Sequence, residues 1–325
     1  MSFGERSVVK KNIHTLGARV AIVGAGFVGS TTAYTLLLHG VASHLTLIDK
    51  NAQRAQGEML ELQHCMQFAH SAVLQAGDSM ELAADADVII LCAGVGQAPG
   101  ESRLALAQKN VAIFKEIIPA LMRHNKTALL LVVTNPLDVM TYITYKLSGL
   151  AAHRVFGSGT VLDTARLRYN IAQHFSVSPK DVVAHVIGEH GDTSLTCWSG
   201  ASVAGIPLEL LPGYDKKICN EMHAQVKNAV YEIISRKGAT YYAIALAITK
   251  IVRALVFDQA RIFSVSSLLN GPFDLHDVCI SVPTLIKKEG VCQHMPLPLS
   301  KTEYEQLHAS AQKIKDEIQK ALAQV

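Results

Sequence analysis

Short apolar runs alternate with longer segments of helical periodicity over the first half of the chain. Strands are predicted at Ala18–Val23, Leu45–Ile48, Ala72–Gln75, Val88–Cys92, Leu129–Val133 and Val155–Phe156. Helices are predicted over about 28–39, 51–69, 104–124 and 138–148. Almost wholly apolar strands that alternate with helices are typical of a parallel sheet with helices on both faces. This half of the sequence therefore predicts a doubly wound α/β sheet.

The pattern becomes mixed after about residue 157. The predicted elements are a helix over 160–174, a strand at Val182–Ile187, a helical stretch over 215–256 that breaks near Gly238, strands over 260–268 and 276–282, and a charged helix over 301–322. The turn signal Asn270-Gly271-Pro272 indicates that the last two strands pair antiparallel. We therefore expect an arm at 1–17, an α/β domain at 18–157 and a mixed α/β (α+β) domain at 158–325.

Composition excludes several classes of protein. The 325 residues are enough for two domains with a substantial core, and 49% hydrophobic with 18% charged residues is ordinary for a soluble enzyme. A net charge of +3, without a run of basic residues, gives no reason to expect nucleic-acid binding. No apolar stretch approaches the roughly eighteen residues of a membrane span. We expect a soluble protein that binds neither nucleic acid nor membranes.

The cysteines and the N-terminus indicate the cytoplasm. The six cysteines are widely spaced and include no C-x-x-C pair, a pattern that favours free thiols over a disulfide framework or a metal site. The first residues carry charges and lack the apolar segment of a secretory signal. No metal is predicted.

A glycine-rich turn, Gly24-Ala25-Gly26-Phe27-Val28-Gly29, follows the first predicted strand and opens a helix. In this signature the first glycine permits a tight turn, the second lets a pyrophosphate approach the backbone, and the third lets helix and strand pack closely. Asp49 ends the next strand, where a carboxylate can bind ribose hydroxyls and repel a 2′-phosphate. The pattern favours NAD over NADP. Methyltransferases and nucleotide-binding proteins without turnover also use such turns, so these classes stay open on this evidence.

Longer motifs are more selective than this turn. In chain order they are GAGFVGS, TLID, AGVGQAPGESR, VVTNP, GSGTVLDTARLRY, GEHGD and KGATYYAIA. With them the chain resembles the lactate/malate dehydrogenase family over nearly its whole length from Ala18. The resemblance implies an N-terminal Rossmann domain that binds NAD, a mixed α/β substrate domain, and reversible hydride transfer between NADH and a 2-oxo acid. Nothing after residue 90 supports a methyltransferase.

His190 in the GEHGD motif is the strongest candidate for acid–base chemistry. Reduction of a ketone needs a proton at oxygen, and histidine titrates closest to neutral pH. A lone histidine most often only caps a loop, and His185 keeps that interpretation. The family motif favours a catalytic role for His190.

The resemblance assigns two residues of one predicted helix to the same site. Asp163 alone is most simply a helix N-terminal carboxylate, but in the family it accepts a hydrogen bond from the histidine and raises the histidine pKa. Arg166 lies one turn further on, and its planar guanidinium matches a substrate carboxylate. Arg168 lies about 200° around the helix from Arg166 and should face elsewhere.

The loop Gly94–Arg103 has the composition of a lid or of an ordinary surface loop. The resemblance implies that it closes over the substrate and that Arg103 stabilises charge on the carbonyl oxygen. Gln97 stands where malate dehydrogenases of the family carry arginine for the second carboxylate of oxaloacetate, and Thr240 also matches the lactate-type pattern. We therefore expect interconversion of pyruvate and L-lactate, with a malate dehydrogenase or a dehydrogenase of larger 2-hydroxy acids as the alternative.

The resemblance also completes the predicted contacts. Asn135 is most simply a turn residue before proline, but the family places this residue beside the nicotinamide ribose or the substrate. Apolar residues at 28 and 244 are equally compatible with core packing. Predicted cofactor contacts are Gly24, Gly26, Phe27, Val28, Gly29, Asp49, Asn135 and Ile244, and predicted substrate contacts are Gln97, Arg103, Asn135, Arg166 and Thr240. Because relatives form homotetramers, or at least dimers, we expect such an assembly.

Two positions depart from patterns within the family. Vertebrate-type members carry arginine where this chain has Gly96, so cofactor binding should depend more on the glycine turn. Many bacterial members are activated by fructose 1,6-bisphosphate through an arginine two positions after the substrate arginine and a histidine seven before the catalytic histidine. Arg168 satisfies the first requirement, whereas Val183 stands at the second position.

We predict weak or absent activation by fructose 1,6-bisphosphate, because only one of its two cationic contacts is present. Steady-state kinetics with NADH should give the same half-saturation for pyruvate with and without millimolar effector. A clear drop in half-saturation on adding the effector would contradict this prediction.

Overall fold

The computed structural model describes residues 18–97 and 100–323, so the expected arm at 1–17 lies outside the described residues. The strands are β1 (Ala18–Val23), β2 (Ala42–Ile48), β3 (Val73–Gly77), β4 (Val88–Leu91), β5 (Leu129–Val132), β6 (Val155–Gly157), β7 (Val182–Val183), β8 (Val186–Ile187), β9 (Leu195–Thr196), β10 (Ser202–Val203), β11 (Ile206–Pro207), β12 (Arg261–Asn270), β13 (His276–Lys287) and β14 (Gly290–His294). The α-helices are α1 (Phe27–Leu38), α2 (Ala52–His64), α3 (Arg103–His124), α4 (Leu137–Ser148), α5 (Val161–Phe175), α6 (Lys216–Lys237), α7 (Tyr242–Val256) and α8 (Lys301–Leu322).

Six parallel strands form the predicted doubly wound sheet. Their order is β3-β2-β1-β4-β5-β6, with parallel pairing throughout. This is the Rossmann order, in which the direction of winding reverses beside β1. The fold class is thus confirmed, and sheets of this order bind ligands outside the carboxyl ends of the strands beside the reversal.

Alternate side chains along each parallel strand pack into two different cores, one on each face of the sheet. On β1, Ala21 and Val23 pack in the cluster that includes side chains of α3, α4 and α8. Val20 and Ile22 point the other way, into the cluster that includes α1, α2 and α7. All four side chains are almost fully buried, and burial of a Val or Ile side chain contributes about 1.5–3 kcal/mol. The sheet therefore needs helices on both faces.

The second half of the chain extends this sheet. Strands β12, β13 and β14 are antiparallel to one another, and β12 pairs with β6 through Ser266–Gly157 and Ser267–Phe156. A separate cluster joins α5 and α6 to β7 and β10. Main-chain pairing consequently crosses the expected boundary after residue 157 and fixes the two halves against each other.

The predicted strand at Val182–Ile187 is wrong as a single element. Its first two residues form β7, which pairs with β10, whereas Val186 and Ile187 form β8, which pairs with β9. Between them, the Ala184 carbonyl accepts a hydrogen bond from Arg168 Nε at 3.0 Å and the His185 carbonyl accepts one from Cys197 N–H at 2.9 Å. Contacts with other segments therefore override the local pattern.

Other boundaries differ less. The helix expected over 51–69 ends at His64 and continues only as a 3-10 turn, Cys65–Gln67. The expected break in 215–256 is present: α6 ends at Lys237 and is capped by Gly238, whose φ of +82° favours glycine. The short strands β9, β10 and β11 have two residues each and leave no periodic signal in the sequence.

Two further findings concern the state of the cysteines and the length of the apolar helices. All six cysteines lie within the described residues and are free thiols. Among the described helices, none is both long enough and apolar enough to cross a membrane.

Gly29 is the position in the β1–α1 turn that tolerates a side chain least. A Cβ at residue 29 would lie 1.8 Å from the carbonyl oxygen of Gly24, a backbone atom that cannot rotate away. We predict that Gly29→Ala lowers the free energy of unfolding by about 1–3 kcal/mol, the usual scale of overpacking. Urea denaturation of the full chain measures this.

Gly57→Ala is the matched control, because Gly57 lies within α2 and a Cβ there meets no atom within 4 Å. The gain in helix propensity should stabilise this variant by about 0.5–1 kcal/mol. Equal stability of the two alanine variants would contradict the packing argument.

Candidate active site

The turn between β1 and α1 fits a pyrophosphate. Gly24 has φ +108°, and Gly26 caps α1 without a side-chain hydrogen bond to the helix. A Cβ at Gly26 would meet no atom within 4 Å, so the space above the helix N-terminus is open. The first-turn N–H groups of α1 can therefore bind an anion.

Asp49 fixes this turn to the end of β2. Its Oδ2 accepts a hydrogen bond from Ala25 N–H at 2.7 Å, and its Oδ1 accepts one from Asn51 N–H at 2.9 Å. Each oxygen keeps a second lone pair for a ribose hydroxyl. Because the negative charge would repel a 2′-phosphate, the turn and this carboxylate together fit NAD better than NADP.

Three of the predicted residues form one hydrogen-bonded group. His190 follows β8, and its Nδ1–H donates to Asp163 Oδ2 at 2.6 Å. Arg166 Nη1 donates to the other oxygen of Asp163 at 2.9 Å, from one turn further along α5. Because the carboxylate occupies Nδ1, Nε2 of His190 is the nitrogen left to exchange a proton with a ligand.

This group stabilises the charged imidazole ring. Burial alone would lower the pKa of His190, but the charge and hydrogen bond of Asp163 outweigh burial and raise that pKa above its ordinary value. Burial alone would raise the pKa of Asp163, but the charges and hydrogen bonds of His190 and Arg166 hold it below the usual range. The pair therefore favours imidazolium and carboxylate near neutral pH, and the ring can deliver a proton.

Arg103, the first residue of α3, reaches the same loop. Its Nη1 donates to Glu189 Oε1 at 2.8 Å, and its Nη2 donates to the His190 carbonyl at 3.3 Å. Gly191 permits this approach, since a Cβ there would lie 2.2 Å from Arg103 Nη1. The structure thus brings a fourth predicted residue, a guanidinium, to the backbone of His190.

Glu189 is a buried carboxylate that the sequence reasoning missed. It is 4% exposed and accepts hydrogen bonds from Arg103, Lys313 and Thr193. Burial alone would raise the pKa of Glu189, but the hydrogen bond from Thr193 and the charges of Arg103 and Lys313 hold that pKa below its usual range. Its place in GEHGD was the only local signal, because Lys313 lies 124 residues further along the chain.

Asp138 is a second residue that the sequence reasoning missed. It lies in the first turn of α4, is 2% exposed, and its Oδ2 accepts a hydrogen bond from His190 N–H at 2.7 Å. Burial raises the pKa of this carboxyl to about 6. Its position after the VVTNP motif is its only signal in the sequence, and an acid in a first helical turn is common.

Other predicted substrate contacts lie outside this group. Gln97 is exposed and its Nε2 donates to the Glu101 carbonyl at 2.7 Å. Asn135 is exposed, and its carbonyl accepts a hydrogen bond from Asn110 Nδ2 at 2.7 Å. Thr240 is half-buried between α6 and α7. Across the described part of the chain, no hydrogen bond connects these three residues to His190.

Asn110 is a third residue that the sequence reasoning missed. Besides its bond to Asn135, its Oδ1 accepts a hydrogen bond from Val95 N–H at 2.8 Å. It therefore joins the loop after β4 to the loop after β5. Its place inside α3, directly after the polar Gln108 and Lys109, gave no sign of this role.

Of the three apolar residues predicted at the cofactor, one is exposed to solvent and two pack against the core. Phe27 begins α1, is 61% exposed and stacks on Tyr241 with ring centroids 5.2 Å apart. Val28 and Ile244 are partly buried against the same core cluster. They lie on α1 and α7, two helices that pack against each other, and this position suits either a core or a cofactor residue.

His185 has the environment of a structural histidine. Its Nδ1 lies 3.2 Å from the Ser264 hydroxyl. Burial, with the charge of Arg168, lowers its pKa to about 4, so this ring stays neutral. Arg168 itself bonds to the Ala184 carbonyl, whereas Arg166 bonds to Asp163, so the two arginines contact different groups as expected.

Comparisons with known proteins cover nearly all of the described residues. Residues 18–157 match the family model of the lactate/malate dehydrogenase NAD-binding domain, and residues 160–325 match that of the lactate/malate dehydrogenase alpha/beta C-terminal domain.

Relatives at the level of sequence are named L-lactate dehydrogenase. The protein of Acetivibrio thermocellus is 46% identical over 310 residues, which cover 92% of this chain and 95% of the relative. The protein of a Synechococcus species is 46% identical over 292 residues, which cover 90% of this chain and 95% of the relative.

Solved structures show the same arrangement of the chain. A lactate dehydrogenase from a Medee basin deep-sea metagenome library superposes with a TM-score of 0.90 at 37% identity, over 94% of this chain and 99% of that one. The minor L-lactate dehydrogenase of Enterococcus mundtii, solved in a ligand-bound form, gives a TM-score of 0.90 at 37% identity, over 94% and 98% of the two chains.

Proposed function

The chain belongs to the lactate/malate dehydrogenase family, and we propose that His190, Asp163, Arg166 and Arg103 carry out its NAD-dependent interconversion of pyruvate and L-lactate. The observation that carries the assignment of residues is the hydrogen-bonded group of His190, Asp163 and Arg166 beside the end of the parallel sheet. The relatives named L-lactate dehydrogenase support the choice of reaction.

Four side chains divide the work of the reaction. Arg166 binds the pyruvate carboxylate with the guanidinium N–H groups that Asp163 does not use. When bound, NADH supplies the hydride that reaches C2 of the substrate. His190 Nε2–H donates its proton to the carbonyl oxygen, and Asp163 stabilises the imidazolium beforehand. In lactate oxidation the neutral ring takes the proton back.

Arg103 is proposed to stabilise the negative charge that develops on the carbonyl oxygen. Its guanidinium already lies against the His190 backbone, so a modest movement from Glu189 brings it to a ligand beside the ring. A positive charge stabilises a developing oxyanion more strongly in a pocket without bulk water. Lys313 remains on Glu189 when Arg103 leaves, so the buried carboxylate keeps a cationic partner.

Gln97 and Thr240 are proposed to set the choice of substrate. Gln97 is neutral, so a site that closes over it holds the methyl group of pyruvate without an unpaired buried charge. The second carboxylate of oxaloacetate would lack a partner there, at a cost of several kcal/mol. Asn135 is proposed to contact the nicotinamide ribose or the substrate from the end of β5.

The cofactor contacts follow the turn and the strands around it. We assign the pyrophosphate to Gly24, Gly26, Phe27 and Gly29, the ribose to Asp49, and apolar contact to Val28 and Ile244. The division into an NAD-binding domain at 18–157 and a substrate domain at 158–325, preceded by an arm at 1–17, is likewise proposed. The ranges of the two matching family models support it.

We propose a cytoplasmic homotetramer, or at least a dimer, that binds neither nucleic acid nor membrane. Exposed apolar side chains such as Leu60 and Phe68 support self-association, and free thiols support a reducing compartment. Sedimentation at the mass of a single chain would contradict the proposed assembly.

The decisive test follows NADH oxidation with pyruvate at 340 nm. We expect brisk turnover in the unmodified protein, and His190→Asn should lower kcat by about 10²–10⁴-fold, the usual contribution of a general acid–base group. NADH binding, measured by fluorescence, should be nearly unchanged. His124→Asn, at the exposed end of α3, is the control. Protein that is inert toward pyruvate yet brisk with oxaloacetate would overturn the proposal.

The pH profile tests the state of the ring. Pyruvate reduction uses the protonated ring, so kcat/KM should stay high at neutral pH and fall as the pH rises through the raised pKa of His190. Lactate oxidation should increase over the same range. Asp163→Asn removes the stabilising charge, lowers that pKa and shifts both curves to lower pH. Curves that do not move in this variant would show that Asp163 has another role.

Gln97→Arg tests the choice of substrate. The new charge pairs with the second carboxylate of oxaloacetate, so the ratio of kcat/KM for oxaloacetate to that for pyruvate should rise by at least about 100-fold, equivalent to about 2.7 kcal/mol. Gln97→Met, which has similar length and no charge, is the control and should leave oxaloacetate a poor substrate. If the arginine variant still ignores oxaloacetate, our account of this position is wrong.

A further inference from the structure

The backbone of the His190 loop is held by three different elements. Gly188 N–H donates to the Ser281 carbonyl of β13 at 2.9 Å, and Glu189 N–H donates to the Ser310 hydroxyl of α8 at 2.8 Å. The next N–H, that of His190 itself, donates to the Asp138 carboxylate of α4 at 2.7 Å. Of these three acceptors only Asp138 carries a charge, and it acts on the residue that exchanges the proton.

The carboxylate of Asp138 does not cap its own helix. Pro136 caps α4 without a side-chain hydrogen bond, and the carboxylate of Asp138 bonds to a different segment of the chain. Its Oδ1 makes no hydrogen bond within the described residues. The Ser266 hydroxyl lies near enough to lower the pKa of Asp138, but not in hydrogen-bonding geometry. Burying a carboxylate with one unbonded oxygen costs free energy unless its charge is paired with a positive charge nearby.

The charges around His190 show which cation the carboxylate of Asp138 stabilises. Its imidazolium and the Arg166 guanidinium are two cations, and Asp163 supplies only one anion. The charge of Asp138 favours the imidazolium, whereas that of Arg166 opposes it. With Asp138 included, the group has two positive and two negative charges.

We propose that Asp138 is a positioning residue for the reaction, which holds the backbone of His190 in place and supplies the second negative charge that stabilises its imidazolium. This inference rests on the proposed role of His190 in proton transfer. Titratable or charged groups that face the ring or Asp138 are Asp163 and Arg166 of α5, Arg103 of α3, Glu189 of the loop and Cys279 of β13.

Two variants separate the two roles. Asp138→Asn keeps an oxygen that can accept the His190 N–H but removes the charge, whereas Asp138→Ala removes both. Asp85→Asn, an exposed carboxylate in a surface ion pair with Arg19, is the matched control. Each full-length variant is measured for kcat and KM with pyruvate across pH, and for the titration of His190 by NMR of labelled histidine, with the His190 signal assigned from His190→Asn.

We expect Asp138→Asn to retain kcat near pH 6, where the native carboxyl is itself partly protonated. The pH at which pyruvate reduction falls, and the pH at which His190 titrates by NMR, should both be lower than in the unmodified protein by about one pH unit. Such a shift is expected for the loss of a nearby opposite charge. Asp138→Ala should lose at least about tenfold in kcat at every pH, with a smaller change in KM, because a misplaced catalytic group slows the chemical step.

Clear results would overturn each part. If His190 titrates at the same pH in Asp138→Asn, Asp85→Asn and the unmodified protein, Asp138 does not stabilise the imidazolium. If Asp138→Ala keeps the native kcat, Asp138 does not position His190. Should the alanine variant fail to fold, the asparagine variant still decides the role of the charge. If the unmodified protein does not reduce pyruvate, the proposed function fails, while the NMR comparison still tests Asp138.

Discussion

The hydrogen bond between His190 and Asp163 is the interaction on which the rest of the site depends. Burial disfavours a charged imidazole, and the buried carboxylate of Asp163 is the main group that reverses that preference. The surrounding elements preserve this contact: α5 fixes Asp163, while β13, α8 and α4 each hold one N–H of the His190 loop. Reactivity at Nε2 is therefore a property of several packed elements and not of one flexible loop.

The sheet explains why these elements meet. Segments after the carboxyl ends of the parallel strands supply the glycine turn, Arg103, Asp138 and Asp163, which follow β1, β4, β5 and β6. A parallel sheet brings such segments to a common edge. The histidine comes from the second half of the chain, which continues the same sheet through β12. Cofactor and proton donor are thus placed by one framework.

The sequence predicted the parts of this framework that have a strong local signal. The six parallel strands, α1 and α8 follow from periodicity, and His190, Asp163 and Arg166 follow from motifs that a family resemblance explains. Local reasoning failed at Val182–Ile187, where partners outside the segment divide a strand. It also missed Asp138, Glu189 and Lys313, because a buried charge is recognised by its partners, which lie 52 and 124 residues away along the chain.

Pairing of β6 with β12 has a consequence for how the molecule tolerates damage. A proteolytic nick between the two halves would leave β6 on one fragment and β12 on the other, each with a row of unsatisfied main-chain groups if the fragments parted. Bare strand edges recruit other chains. Separated halves should therefore aggregate and should not persist as independent domains. Folding intermediates in which the second half has not yet folded would expose the same edge of β6 and should also be prone to aggregation.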